Sequence, residues 1–311
     1  MTWATWMRYG GTLCWLAALA TADVSQALAE EAKSDAPSDC RYEPREGGTS
    51  SSAFPADDVF RPLIADPKQP QFFASWQAVN ARTDRTHANV GSVGFGENFG
   101  FYTSREGCNG WQVGVLAGVF SQFNLDAPSS DLINTDFVIG VPLSWRAGNW
   151  STRVRLYHQS SHLGDEFLLG RPGFPRVNLS FEEMEAILSY DYRWARLYAG
   201  GGVLMHREPA SLDRNRVQWG VELRGPTVSS PVLRKELAGL LMTPVFGADF
   251  KTFEELRWVI NMNVIGGIEW SREGSTRRFR FLLNYYHGFN PYGQFFVQKI
   301  ETVGFGLYLA F

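Results

Sequence analysis

Residues 133–145 alternate with a period of two. Ile133, Thr135, Phe137, Ile139, Val141, Leu143 and Trp145 form one face; Asn134, Asp136, Val138, Gly140, Pro142 and Ser144 form the other. The period returns in Trp258, Ile260, Met262, Val264, Gly266, Ile268 and Trp270, set against Asn261, Asn263, Gly267 and Glu269. It returns again in Phe279, Phe281, Leu283 and Tyr285 against Arg278, Arg280 and Asn284. A period of two belongs to a β-strand, whose successive side chains point to opposite faces. These runs are about twice the length of an ordinary globular strand. Aromatic residues often stand at their ends, as in strands that cross a bilayer obliquely. The last residues follow the same rule: Val303, Phe305, Leu307, Leu309 and Phe311 share a face, and the sequence stops on that phenylalanine. An all-β fold is expected, a transmembrane antiparallel β-barrel of about twelve strands. The strands are placed near 71–80, 88–103, 111–124, 132–145, 150–161, 178–192, 195–206, 214–225, 241–251, 257–270, 276–287 and 294–311. No apolar run after residue 29 approaches the ~20 residues of a membrane helix.

The start of the chain reads differently. Arg8 precedes a mostly apolar stretch from Gly10 to Ala22, and Ala27-Leu28-Ala29 is a small-x-small cleavage pattern. Residues 1–29 are therefore read as a secretory signal. Residues 30–53 are a polar leader, and 54–311 the barrel. Within the latter, 54–70 is apolar enough to pack, and the periplasmic mouth of the barrel is its expected place. The short turns at 146–149, 192–194 and 271–275 fall on one side, taken as periplasmic. On that side the stretch 225–240 is long for a turn, and 232–237 is expected to form a small helix. The exported chain keeps Cys40 and Cys108, both on this rim, and an oxidising compartment makes a disulfide between them the natural expectation.

Composition supports this reading. Of 311 residues 44% are hydrophobic and 14% aromatic, and 31 glycines and 11 tryptophans suit strands with tight turns better than a helical bundle. Lys plus Arg number 29 against 32 for Asp plus Glu, so no positive excess draws nucleic acid. Gly94-Phe95-Gly96 and Gly200-Gly201-Gly202 do not open helices, so they are read as points of close strand contact rather than as a dinucleotide fingerprint.

The runs from His158 to Glu166, from Tyr198 to Pro209, from Pro244 to Lys251 and from Tyr292 to Phe295 resemble the bacterial envelope family known as domain of unknown function 1207. That resemblance covers about residues 54–311 and implies no established activity. Chemistry has to come from individual residues.

In the fifth strand Trp150, Thr152, Val154 and Leu156 set the lipid face, while Arg153, Arg155, Tyr157 and Gln159 face inward. Counting on by twos puts His158 and Ser160 on the lipid face, toward the outer end of the strand. An imidazole and a hydroxyl two residues apart share a face, the geometry in which the ring can take the hydroxyl proton for attack on an ester. The pair resembles the His-x-Ser-Asn motif of outer-membrane phospholipase A and of lipid A deacylases, although Ser161 and His162 depart from it. If Leu156 lies opposite Met184, Glu182 falls opposite His158 and Ser180 opposite Ser160, which makes Glu182 the candidate third group. His162, Asp165 and Glu166 in the following loop are candidate Ca²⁺ ligands.

Arg153, Arg155, Arg196, Arg224, Arg278 and Arg280 are expected inside with Asp136, Glu222 and Glu269, pairing across a narrow lumen. Two functions stay open: an interfacial lipid-ester hydrolase acting on phospholipid or lipid A, or a non-enzymatic barrel serving as a narrow pore or envelope structure. The expected partners are outer-membrane lipids and lipopolysaccharide, together with the assembly machinery that reads Phe311.

Overall fold

The computed structural model describes residues 50–81, 86–174, 176–229, 240–272, 275 and 277–310. The expected signal segment, Cys40, most of the leader, the expected helix at 232–237 and Phe311 lie outside them. Twelve strands form the wall: β1 (Phe72–Ala81), β2 (Thr86–Glu106), β3 (Asn109–Asn124), β4 (Leu132–Ala147), β5 (Trp150–Leu163) and β6 (Leu179–Tyr192). β7 (Ala195–Glu208), β8 (Asn215–Arg224), β9 (Leu240–Phe253), β10 (Asn261–Arg272), β11 (Arg278–Phe289) and β12 (Lys299–Ala310) complete it. Each strand pairs antiparallel with its neighbours in the chain, and β12 pairs with β1, so the sheet closes without an edge. Two short segments pair on its margin, Ser50–Ala53 with β2 and Val228–Ser229 with β9. A short helix, α1 (Asp165–Gly170), stands in the loop between β5 and β6.

Burial is inverted relative to a protein dissolved in water. On β4, Ile139, Val141, Leu143 and Trp145 are about half exposed on the outside, while Asn134 and Asp136 are fully buried inside. Only a hydrocarbon solvent makes that arrangement favourable, and in hydrocarbon the closed ladder leaves no backbone group unpaired. Near the short-turn end Trp111, Trp145, Trp150, Tyr192 and Trp194 stand exposed as an aromatic girdle, with the Trp150 and Tyr190 rings 4.7 Å apart.

Residues 54–71 do not stop at the mouth of the barrel, the place expected for them from composition; from Val59 on they run into the lumen and plug it. The cause is the wall itself, whose buried carboxylates need donors and cations. Arg61 Nη2 meets Asp191 at 2.5 Å, Lys68 Nζ meets Asp136 at 2.5 Å, and Asp66 meets Lys251 Nζ at 2.5 Å. The Ile64 N–H donates to Glu222 at 2.8 Å, and Asn263 Nδ2 donates to the Ala65 carbonyl at 2.7 Å. Phe60 lies between the guanidinium groups of Arg153 and Arg196, and Leu63 packs on Ile187 and Tyr198. Gly94 makes room for this interior, because a Cβ there would strike the Phe73 ring.

Removing the plug is expected to open the barrel. A chain lacking residues 54–71 should give steady single-channel current in planar bilayers, where the intact chain gives none. Absence of current from a correctly assembled deletion would mean that something other than the plug closes the lumen.

Asp58 in the same segment accepts hydrogen bonds from Asn98 (2.5 Å) and Gln112 (3.0 Å). Burial outweighs these and pushes its carboxyl up to about 7. The folded state therefore holds this proton more tightly than the unfolded chain. The stabilisation is complete below the ordinary carboxylate range and is lost as pH rises toward 7. Asp58→Asn should flatten that decline in thermal stability measured between pH 4 and pH 8; an unchanged slope would exclude Asp58 as its source.

Candidate functional site

Three adjacent strands build a polar patch on an otherwise apolar outer wall. β5 and β6 pair with Leu156 opposite Met184, the condition for the expected pairing, and so with His158 opposite Glu182 and Ser160 opposite Ser180. His158 Nδ1 lies 2.8 Å from Glu182 Oε1. Against an ionised carboxylate Nδ1 is the donor, which leaves Nε2 as the basic nitrogen. No hydrogen bond of the described residues occupies Nε2, and none joins it to Ser160 Oγ. The two side chains nevertheless leave the same face of one strand about 7 Å apart at the backbone, a gap that side-chain rotation toward a bound substrate can close.

A further group comes from β7: His206 Nδ1 lies 2.8 Å from Glu182 Oε2. Glu182 thus bridges two imidazoles. His158 and Glu182 are a little over one-third exposed and His206 is 76% exposed. From Trp150 to His158 the wall climbs roughly 20 Å, given ~3.3 Å per residue and ~40° of tilt. That height places the patch in the outer part of an apolar band of about 25 Å, where polar side chains facing lipid still carry a cost. Leu156, Met184, Val203 and Met205 surround it on the outside.

Alternation alone does not reveal His206. Its parity on β7 points inward until a one-residue register shift between Glu182 and Glu183 turns it out. The signal in the sequence is the apolar doublet Leu204-Met205, which breaks the alternation.

The other candidates fall elsewhere. Asp165 and Glu166 occupy the first turn of α1, both exposed. Among the described residues no three His, Cys, Asp or Glu side chains gather closely enough for a metal, so this pair by itself does not supply the six to eight oxygens Ca²⁺ takes. Cys108 sits in the turn between β2 and β3 and is disulfide-bonded. Its expected partner, Cys40, is outside the described residues.

The expected lumenal arginines are inside and paired. Arg153 and Arg155 reach Glu185 at 3.0 and 2.7 Å, joined there by Arg216; Arg224 and Arg280 reach Glu269 at 2.8 and 2.6 Å. Above the plug a cavity of about 150 Å³ remains, lined by Tyr157, Phe181, Arg216, Lys251, Phe289 and Phe296 among others. The His158 patch is on the opposite side of the wall from this cavity.

A closed antiparallel barrel with an apolar exterior, an aromatic girdle and a charged, plugged interior is a protein of the outer-membrane β-barrel class. The chain belongs to the family described as protein of unknown function (DUF1207), whose pattern matches residues 22–311. Among curated proteins none matches the sequence. Among solved structures, outer membrane phospholipase A from Escherichia coli is similar in fold, with a TM-score of 0.50 and 9% identity over 81% of this chain and 95% of that one. The Salmonella typhi outer membrane phospholipase dimer with bound calcium gives a TM-score of 0.51 and 10% identity over the same shares. At such identities the likeness is one of fold.

Proposed function

We propose that the protein is an interfacial acyl-ester hydrolase of the bacterial outer membrane, acting on phospholipid or lipid A from the lipid side of the barrel wall. The observation that carries this reading is the 2.8 Å pair between His158 Nδ1 and Glu182, facing lipid with Ser160 two residues along the same strand. Ionisable side chains turned toward a bilayer are costly, and functional sites are where such costs are tolerated. The pair has the polarity of a triad: the carboxylate fixes the ring through Nδ1 and leaves Nε2 for the nucleophile.

In the proposed reaction Nε2 of His158 accepts the Ser160 proton as Oγ attacks the ester carbonyl carbon. The tetrahedral adduct then expels the lipid alcohol, which takes that proton back from His158. Water, deprotonated by the same nitrogen, attacks the acyl-serine ester, and the fatty acid leaves as the serine regains its proton. Glu182 supports the imidazolium at each stage without being protonated. Asp165 and Glu166 enter only as two candidate oxygen donors to Ca²⁺, with lipid or water oxygens needed for the rest of its shell. The same proposal places the chain in the outer membrane, with Phe311 as the terminal signal for the assembly machinery.

The sealed, ion-paired lumen favours one alternative, a structural barrel without chemistry. Fatty-acid release by the purified barrel, with phospholipid and with lipid A, with and without Ca²⁺, separates the two. Release by the wild type that is lost in Ser160→Ala supports hydrolysis, and equal release by both rejects it.

A further inference from the structure

Along β7 the outward face runs Leu197, Ala199, Gly201 and Val203, and unbroken alternation would turn His206 into the lumen. The register slips instead: Glu183 pairs with Leu204 and Glu182 with His206, leaving Met205 as the extra residue. Met205 and His206 therefore both lie outside. A β-bulge interrupts the ladder and re-aims a side chain, and bulges recur beside active sites for that reason. This one delivers an imidazole to the carboxylate that already holds His158. Each oxygen of Glu182 then has its own ring, His158 on Oε1 and His206 on Oε2, both at 2.8 Å.

We propose that His206 is a positioning residue of this site, pinning the second oxygen of Glu182 so that the first stays on Nδ1 of His158. The consequence for turnover rests on the hydrolase reading, whereas the coupling does not. Held at one oxygen, a carboxylate on a strand can swing; held at both, its plane is fixed and Oε1 stays on Nδ1 of His158. The other titratable groups on this outward face are His162 on β5, edge-on to Phe137, and Glu208 on β7; β8 presents the neutral Val217 and Asn215 there.

The test is histidine-ring NMR of the full barrel in lipid nanodiscs at one pH, where only five histidines contribute. The His158 signal is assigned from its loss in His158→Gln. In the wild type the Nδ1–H proton that His158 donates to Glu182 should exchange slowly with solvent. In His206→Ala it should exchange about tenfold faster, while His162→Ala should leave it unchanged. In turnover, His206→Ala should lower kcat about tenfold at constant KM. His206→Gln, which keeps a donor, should recover most of kcat and of the slow exchange. An unchanged His158 exchange rate in His206→Ala overturns the proposal. Should His206→Ala fail to show the heat-modifiable migration of a folded barrel, the exchange rate in His206→Leu, which keeps bulk but no donor, decides in its place. If no form releases fatty acid, the hydrolase reading falls and the exchange rate alone judges the coupling.

Discussion

Ser160→Ala is expected to reduce fatty-acid release by on the order of 10³-fold or more, to background, with barrel assembly unchanged. The substitution deletes the attacking oxygen and nothing else of consequence. Ser160 makes no hydrogen bond among the described residues, and its strand partners Phe137 and Ser180 keep their ladder pairing through the backbone. A small side chain at such a position supports little packing, so heat-modifiable migration and thermal stability should match the wild type. Folding and chemistry should separate cleanly. A variant that keeps even a tenth of wild-type release would show that Ser160 is not the nucleophile and remove the main support for the enzymatic reading.

The largest effect on stability is expected at Glu185, inside the barrel. Its carboxylate is 1% exposed and is approached by three guanidinium groups, those of Arg153, Arg155 and Arg216. Glu185→Gln preserves volume and shape, so no cavity is created, yet it leaves three buried cations with one fewer negative charge among them. Breaking a buried pair by removing one partner typically costs about 3–5 kcal/mol, far more than the pair contributes relative to apolar groups of the same size. Urea-induced unfolding from lipid, followed by tryptophan emission, should register a loss of that order. The exposed Glu182→Gln should cost under ~1 kcal/mol in the same assay. A loss below ~1 kcal/mol at Glu185 would indicate that Glu183, beside it on Arg216, takes over its charge role.

The architecture of the wall is written in the alternation of apolar and polar residues. A period-two pattern fixes which side chains face lipid, but a strand can slide by two residues and keep the same faces. The alternation therefore puts His158 and Glu182 on one face, and their pairing follows only once Leu156 stands opposite Met184, a register the closed ladder supplies. The inward arginines and their carboxylates follow from the same parity. Two other features arise only when the strands meet. The path of residues 54–71 depends on acceptors that exist only once the wall has closed around one lumen: Asp191 and Glu222, held by Arg146 and Arg196 of the wall, also take Arg61 and the Ile64 N–H, and Asp136 takes Lys68. The position of His206 depends on a single bulge at Met205, a local insertion that inverts the facing of every residue after it. Alternation is a local property and survives in the sequence. Closure and bulges are properties of how strands meet, and they are settled only when the barrel forms.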